Sequence, residues 1–192
     1  MSLLRSFNLI VLGCALLAGG CDRQTEAPAQ PGADAPAKAA AGKLDRSHKG
    51  EALPALSFTD AAGDETALAS LAGKPALVNL WATWCAPCIA ELPTLNGLSN
   101  RADLNLEVVT IAQDIAPPEK IQQFLDQRGL AQLPSLRDPE SELSFHYQTG
   151  SLPTTVLYDA AGKEVWRYVG DRDWTSDESM KLLAEGEATG PV

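Results

Sequence analysis

One stretch of this sequence decides the fold: Leu77-Val78-Asn79-Leu80-Trp81-Ala82-Thr83-Trp84-Cys85-Ala86-Pro87-Cys88. It begins within the run Ala76–Ala82, which is apolar apart from Asn79 and is typical of a strand covered on both faces. The residues from Ala86 to about Leu98 favour a helix. A buried strand that leads directly into a helix is half of a βαβ unit, so we expect this strand at the centre of a sheet.

The sequence on either side adds further strands and helices. Short strand-like segments lie on both sides of the turn Asp60-Ala61-Ala62-Gly63 and predict a β-hairpin. We expect the folded part of the chain to begin just before this hairpin, at about Glu51. Apolar runs and helix start and stop signals predict strands Leu106–Ala112, Thr154–Tyr158 and Glu164–Val169, and helices Pro118–Arg128, Ser141–Tyr147 and Ser176 to about Glu185. This order predicts an α/β fold with a mixed central sheet flanked by helices, an N-terminal β-hairpin and a helical insertion. We assign residues 51–192 to this domain.

The two cysteines of the opening stretch are placed for redox chemistry. Cys85 lies where the strand ends and the helix begins, and a helix N-terminus stabilises the negative charge of a thiolate. The helix dipole contributes about 0.3–2 kcal/mol, which lowers a cysteine pKa by at most roughly one and a half pH units. A larger lowering of the pKa requires a hydrogen bond from the Cys88 thiol, one turn later, to the Cys85 thiolate. Pro87 favours the backbone conformation of the first helical turn.

Two other roles for a Cys-x-x-Cys pair are disfavoured. Half of a structural zinc site needs a second pair of ligands, and none is evident, because the chain has only 4 cysteines and 2 histidines. A structural disulfide across so short a loop constrains the unfolded chain little. We therefore expect no metal, and no cofactor other than a redox-active Cys85–Cys88 disulfide.

The stretch Leu77–Cys88 resembles the active-site strand of the thioredoxin superfamily, and specifically its exported TlpA/ResA-like branch. Glu91 matches the acidic residue that this branch places beside its active site. Leu152-Pro153-Thr154 matches the cis-proline loop of the superfamily, and Gly170-Asp171-Arg172-Asp173-Trp174 is similar to the TlpA end of the branch. The resemblance covers about Glu51 to Glu185 and implies a thioredoxin-like fold.

The resemblance also implies roles for individual residues. Cys85 and Cys88 are the expected catalytic pair. Trp84, Leu152 and Pro153 are the expected substrate-binding residues, and a cis bond is expected before Pro153, although only about 5–6% of X-Pro bonds in folded proteins are cis.

One position departs from thioredoxin itself. Thioredoxin has a buried aspartate, associated with proton transfer at the second cysteine, where this chain has Asn79, and asparagine cannot titrate. Glu91 lies three residues after Cys88, on the same helix face one turn later, and is therefore the candidate acid/base group. The alternative is a solvated glutamate near the helix N-terminus. We expect Trp81 in the core and His146 on the surface.

The N-terminus has the layout of an export signal. Residues 1–20 place Arg5 before an apolar run and small residues, and Cys21 follows at once. The small residues before Cys21 resemble the lipobox of bacterial lipoproteins, which makes Cys21 the expected lipidation site in preference to Cys14. A plain signal peptide or an uncleaved anchor is the alternative. Residues 21–50 are rich in Ala and Pro and predict a disordered tether.

These features predict an exported thiol:disulfide oxidoreductase, tethered to the periplasmic side of the bacterial inner membrane. The resemblance implies protein disulfides as substrates, in apocytochrome c or in copper-site assembly proteins of cytochrome oxidase, and a transmembrane thiol reductant of the CcdA/DsbD type as electron donor. A net charge of -10 disfavours nucleic acid as a partner. The alternatives are a thiol peroxidase of the peroxiredoxin type, with Thr83 near Cys85, and a copper-binding metallochaperone.

Overall fold

The computed structural model describes residues 42–134 and 136–188. The strands of this part of the chain are β1 (Lys43–Asp45), β2 (Ser57–Thr59), β3 (Glu65–Ala67), β4 (Ala76–Trp81), β5 (Glu107–Ala112), β6 (Leu136–Arg137), β7 (Thr154–Tyr158) and β8 (Glu164–Val169). Its helices are α1 (Ala86–Ser99), α2 (Pro118–Asp126), α3 (Glu142–Tyr147), α4 (Asp177–Leu183) and α5 (Glu185–Ala188), with a short 3-10 turn at Leu68–Leu71.

The strands form one mixed sheet in the order β1-β8-β7-β4-β5-β6-β2-β3. Strand β4 pairs in parallel with β5 and antiparallel with β7, so it has a neighbour on each side, and its six residues are all buried. A strand in this position needs apolar side chains on both faces, which the run around Asn79 supplies. The predicted α/β class, the mixed central sheet and the central strand are therefore confirmed.

Side chains alternate between the two faces of β4. Leu77 and Trp81 point to the face covered by α1, α2 and α4, while Val78 and Leu80 point to the face that packs against α3 and the first hairpin. Asn79 lies between Leu77 and Trp81 and has the same parity, so it points toward α1. Helices on both faces of the sheet bury β4 and place its C-terminal end, with the cysteines, at the edge of the core.

The fold includes a strand that the sequence pattern does not predict. Lys43–Asp45 lies within the expected tether and pairs antiparallel with the outer edge of β8, in the register Lys43↔Val169 and Asp45↔Arg167. An edge strand gains backbone hydrogen bonds whatever its side chains are, so composition does not reveal it. The described fold thus begins before the expected boundary at Glu51.

The predicted signal peptide and the lipidation site Cys21 lie outside the described residues. Within residues 42–134 and 136–188, no helix has the length and apolar character needed to cross a membrane.

Candidate active site

Cys85 and Cys88 form a disulfide at the start of α1, with their Cα atoms 5.3 Å apart. Cys85 is the N-cap residue, and its Sγ accepts a hydrogen bond from the Cys88 backbone N–H at 3.3 Å. The two cysteines therefore lie where the unpaired N–H groups of the helix favour negative charge on Cys85. Cys85 is 7% exposed and Cys88 is fully buried. Of the two cysteines, only Cys85 keeps exposed surface and borders the cleft described below.

A cleft opens beside Cys85. It has a volume of about 570 Å³ and is bordered by Trp84, Cys85, Ala86, Pro87, Gln113, Ser141, Ser144, Gly150, Ser151 and Leu152. Trp84 is 70% exposed at its edge. The structure therefore brings Trp84 and Leu152, both predicted as substrate-binding residues, to the same opening as Cys85.

Pro153 lies one residue behind this cleft. The Leu152–Pro153 peptide bond is cis, as predicted. The Pro153 ring is buried and does not border the cleft, and its carbonyl oxygen accepts from the Gly170 N–H at 3.0 Å. In this structure Leu152, and not Pro153, supplies the side chain at the cleft wall.

Glu91 is buried on the inner face of α1, only 2% exposed, so the alternative of a solvated helix glutamate is wrong. Its Oε1 accepts from Asn79 Nδ2 at 2.7 Å. Its Oε2 accepts from the Arg172 backbone N–H at 3.2 Å and from Trp174 Nε1 at 3.1 Å. Three neutral donors, one from β4 and two from the loop after β8, thus converge on one carboxylate.

Burial raises the pKa of Glu91 from its ordinary value of 4.5 to about 7, although the hydrogen bonds from Asn79, Trp174 and Arg172 act in the opposite direction. Asn79 also donates to Thr155 Oγ1 at 2.9 Å, while its own Oδ1 is buried without a partner. Rotation of the amide exchanges Oδ1 with Nδ2, so Asn79 can donate to the carboxylate or accept from the carboxylic acid. The site can hold Glu91 in either protonation state near neutral pH.

A substitution at Trp174 tests whether its indole controls this ionisation. We expect Trp174→Phe to raise the pKa of Glu91 further, because one of the donors that stabilise the carboxylate is lost, and to lower the unfolding free energy by about 1–2 kcal/mol at pH 8. The measurement is an NMR titration of the Glu91 side-chain carboxyl carbon, together with denaturant unfolding.

The matched control for this test is Trp166→Phe. Trp166 stacks on Trp174 with ring centroids 6.1 Å apart, but its Nε1 donates to the Leu182 carbonyl and not to Glu91. It should destabilise the fold without raising the Glu91 pKa. Equal titration midpoints in wild type and Trp174→Phe would show that the indole N–H does not set the ionisation of Glu91.

Several residues of the site carry no signal in the sequence. Gln113 and Asp138 are buried beside the cleft, and Gln113 Nε2 donates to Asp138 Oδ2 at 3.0 Å. Thr83, just before the cysteines, is fixed through its N–H and hydroxyl to the Asp114 carboxylate, at 2.9 and 2.5 Å. Each contact joins residues that are more than twenty positions apart, and neither belongs to a recognisable motif. Two further predictions made from sequence hold: Trp81 is buried in the core, and His146 is exposed on α3.

This disulfide joins a helix N-terminus to the next turn, and one cysteine borders a cleft shared with a cis-proline loop while the other is fully buried. Such a site is that of a dithiol oxidoreductase of thioredoxin fold.

Comparison with known proteins identifies the family. The Redoxin family model matches residues 48–182, and the chain belongs to the Redoxin family. It is 32% identical over 124 residues to the thiol-disulfide oxidoreductase ResA of Bacillus thuringiensis (strain Al Hakam), covering 64% of this chain and 70% of that protein. It is also 32% identical over 139 residues to the thiol:disulfide interchange protein DsbE of Pseudomonas fluorescens biotype C, covering 70% of this chain and 76% of that protein.

A solved structure agrees with these relatives. The crystal structure of a DsbE-type thiol:disulfide interchange protein from Chlorobium tepidum superposes with a TM-score of 0.64 at 25% identity, covering 72% of this chain and 98% of that one. The predicted thioredoxin-like fold and ResA-like family are confirmed. The protein is a thiol-disulfide oxidoreductase that acts on protein disulfides.

Proposed function

We propose that this protein is an exported, membrane-tethered reductase of protein disulfides that serves cytochrome c maturation or assembly of the copper site of cytochrome oxidase. The observation that carries the reaction is the unequal exposure of the two cysteines: Cys85 borders the cleft, and Cys88 is fully buried. The likeness to ResA and DsbE supports thiol-disulfide exchange. The export signal before Cys21 and the Ala/Pro-rich tether support the location.

The exchange follows from this arrangement. The Cys85 thiolate attacks one sulfur of a partner disulfide, forms a Cys85–partner disulfide and releases the other partner sulfur as a thiolate. The Cys88 thiolate then attacks Cys85 Sγ, so that the Cys85–Cys88 bond forms and the partner's second thiolate leaves. Two electrons pass to the partner. A transmembrane thiol reductant of the CcdA/DsbD type would return them to the Cys85–Cys88 disulfide.

Glu91 is the proposed proton acceptor for Cys88. Both side chains are buried on the same side of α1, one turn apart, and Glu91 can take up or release a proton near neutral pH. A buried carboxylate this close opposes formation of a second negative charge on the Cys88 sulfur.

We expect Glu91→Gln in the reduced protein to move the midpoint of the Cys88 thiol titration to lower pH by about one unit, because the neutral amide removes this repulsion. Thiol absorbance or NMR of labelled Cys88 measures it. Glu65→Gln, an exposed glutamate on the edge strand β3, is the control. A titration unchanged by Glu91→Gln would end the proposal for Glu91.

The reductase itself is tested with purified, reduced protein and two disulfide-bonded peptides, one a haem-binding Cys-x-x-Cys-His segment and one a copper-site Cys-x-x-x-Cys segment. We expect stoichiometric reduction of at least one of them, with formation of one Cys85–Cys88 disulfide per peptide. Failure to reduce either, while a small disulfide is reduced, would contradict both maturation roles.

The two alternative functions gain no support from the geometry. A peroxidatic site would use Thr83, but its hydroxyl is directed to Asp114. A copper site needs grouped ligands, and the described residues contain no cluster of three or more His, Cys, Asp or Glu side chains that could hold a metal. Hydrogen peroxide consumption and copper retention after dialysis test these two activities directly.

The membrane tether is tested at Cys21. We expect Cys21→Ser to release the protein from the membrane fraction and to abolish incorporation of labelled palmitate. Retention in the membrane would favour an uncleaved N-terminal anchor, and Cys14→Ser is the matched control.

A further inference from the structure

Three large hydrophobic side chains stand exposed in the part of the chain that the structure describes. One of them borders the cleft beside Cys85, and the other two closely follow cleft residues in the sequence. Trp84 is 70% exposed, Ile115 88% and Phe145 76%. Trp84 borders the cleft, Ile115 lies two residues after the cleft residue Gln113, and Phe145 directly follows Ser144, whose hydroxyl donates a hydrogen bond to Gln113. Exposed apolar side chains grouped in this way mark an interaction surface, whereas single scattered ones do not.

We call Trp84, Ile115 and Phe145 the apolar rim. Two consecutive residues, Arg137 and Asp138, hold in place the segments that carry Ile115 and Phe145. The Arg137 guanidinium donates from Nη1 to the carbonyl oxygens of Ile115 and Ala116, at 3.3 and 3.0 Å. The Asp138 carboxylate is buried and accepts from the N–H groups of Glu142 and Leu143, at 2.9 and 3.0 Å, which caps α3. The loop that carries Ile115 and the helix that carries Phe145 are thus fixed by one short segment.

A second contact ties α3 to the wall of the cleft. Gln113 is buried and bonds to Asp138 through Nε2, while its Oε1 accepts from Ser144 Oγ at 2.9 Å. The residues at the two ends of α3, Ser141 and Gln148, have φ of 57° and 54°. A left-handed backbone at residues other than glycine is uncommon and strained, so the surrounding contacts must hold it. Phe145 is exposed on a helix that the fold fixes.

Two carboxylates lie beside the cleft. Glu140 and Glu142 are exposed on either side of Ser141, which borders the cleft. The nearby Arg137 is engaged with backbone carbonyls. The whole chain has a net charge of -10. A partner that carries positive charge near its reactive disulfide is therefore favoured on encounter.

We propose that this cleft docks an extended polypeptide segment whose disulfide-bonded cysteine is flanked by apolar side chains and by at least one lysine or arginine. The apolar side chains contact Trp84, Ile115 and Phe145, and the basic group lies near Glu140 and Glu142. A cleft of about 570 Å³ has room for a few side chains of such a segment. This inference rests on the proposed function, since it specifies which protein disulfides the reductase selects.

The test uses reduced full-length protein and peptides of seven residues, each with one cysteine in a mixed disulfide with glutathione. The first peptide carries Leu and Phe beside the cysteine and one Lys. The second has Ser in place of Leu and Phe, and the third has Glu in place of Lys. Oxidised glutathione is the small reference substrate. The second-order rate constant of reduction is measured for each by rapid quenching and chromatography.

We expect wild type to reduce the first peptide about tenfold faster than the second and about threefold faster than the third at low salt. Phe145→Ser or Ile115→Ser should remove most of the preference for apolar flanks, while reduction of oxidised glutathione stays within about twofold of wild type. Glu140→Lys should abolish the preference for Lys over Glu. The matched control Glu187→Lys, on α5 beside Pro75 at the opposite end of β4 from the cysteines, should retain it.

The outcomes separate the two proposals. Equal rates for the three peptides, or preferences that survive all the rim substitutions, would overturn the docking inference and leave the reductase intact. Reduction of oxidised glutathione alone would overturn the proposed function. Should a serine variant lose the fold, Phe145→Gln and Ile115→Thr retain more of the side-chain volume and give the same comparison.

Discussion

Cys88→Ser is expected to convert this protein from a catalyst into a trap. In this variant Cys85 still attacks a partner disulfide, but no thiol remains to attack Cys85 Sγ, so the mixed disulfide cannot resolve within the protein. We expect covalent complexes with envelope proteins to accumulate and turnover to fall by at least about a thousandfold, since a side chain that forms the covalent intermediate is lost. Non-reducing gels and mass spectrometry of the captured species measure this, and they name the substrate and the electron donor.

The matched control for the trap is Cys85→Ser. Cys88 is fully buried and cannot reach an incoming disulfide, so this variant should lose turnover equally but should form no mixed disulfides. Comparable trapping by both variants would mean that Cys88 becomes exposed during the reaction, and the assignment of Cys85 as the attacking sulfur would be wrong.

The second large effect concerns pH and stability. Glu91 has a pKa of about 7 in the folded protein against an ordinary value of 4.5, because burial disfavours its charged form. Below pH 4.5 the carboxyl is protonated in both states, and its contribution does not depend on pH. Between pH 4.5 and 7 the unfolded chain releases the proton while the folded protein keeps it, so a rise in pH favours unfolding. Above pH 7 both states are ionised, and the loss has reached about 3 kcal/mol.

We expect most of this loss to appear in denaturant unfolding of the oxidised protein between pH 5 and 8, and to be absent in Glu91→Gln. The substituted glutamine keeps a carbonyl for the Arg172 and Trp174 donors, and its amide can donate to Asn79 Oδ1 after that side chain rotates. The quantity to compare is the difference in unfolding free energy between variant and wild type at each pH, because the contributions of the other titrating groups are the same in both proteins and cancel in that difference. Glu65→Gln should show no such trend. A difference that is constant with pH would show that Glu91 does not have a raised pKa.

The two effects are connected through the active site. A carboxyl that ionises near neutral pH makes the oxidised fold less stable as pH rises, and the same carboxyl is available to take the proton from Cys88. Destabilising groups of this kind are common at functional sites, because catalysis requires protonation states that the fold alone would not favour.

Much of this protein could be predicted from its sequence because the deciding signals are local. The apolar run around Asn79 is long enough to specify a strand buried on both faces, and Cys85 follows it directly, so strand, helix N-terminus and disulfide form from consecutive residues. The cis bond before Pro153 was predicted only through the resemblance to a family. Backbone preference alone favours the trans form.

Only the tertiary structure decided the environment of these residues. Asn79, Arg172 and Trp174 lie 12, 81 and 83 positions from Glu91 in the sequence, and their convergence is what buries the carboxylate. The same holds for the apolar rim, where Arg137 fixes a loop some twenty residues earlier in the chain. Periodicity and motifs reflect interactions between residues that are close in sequence. A pKa and a docking surface depend on desolvation and on contacts between distant segments, and these exist only once the chain has folded.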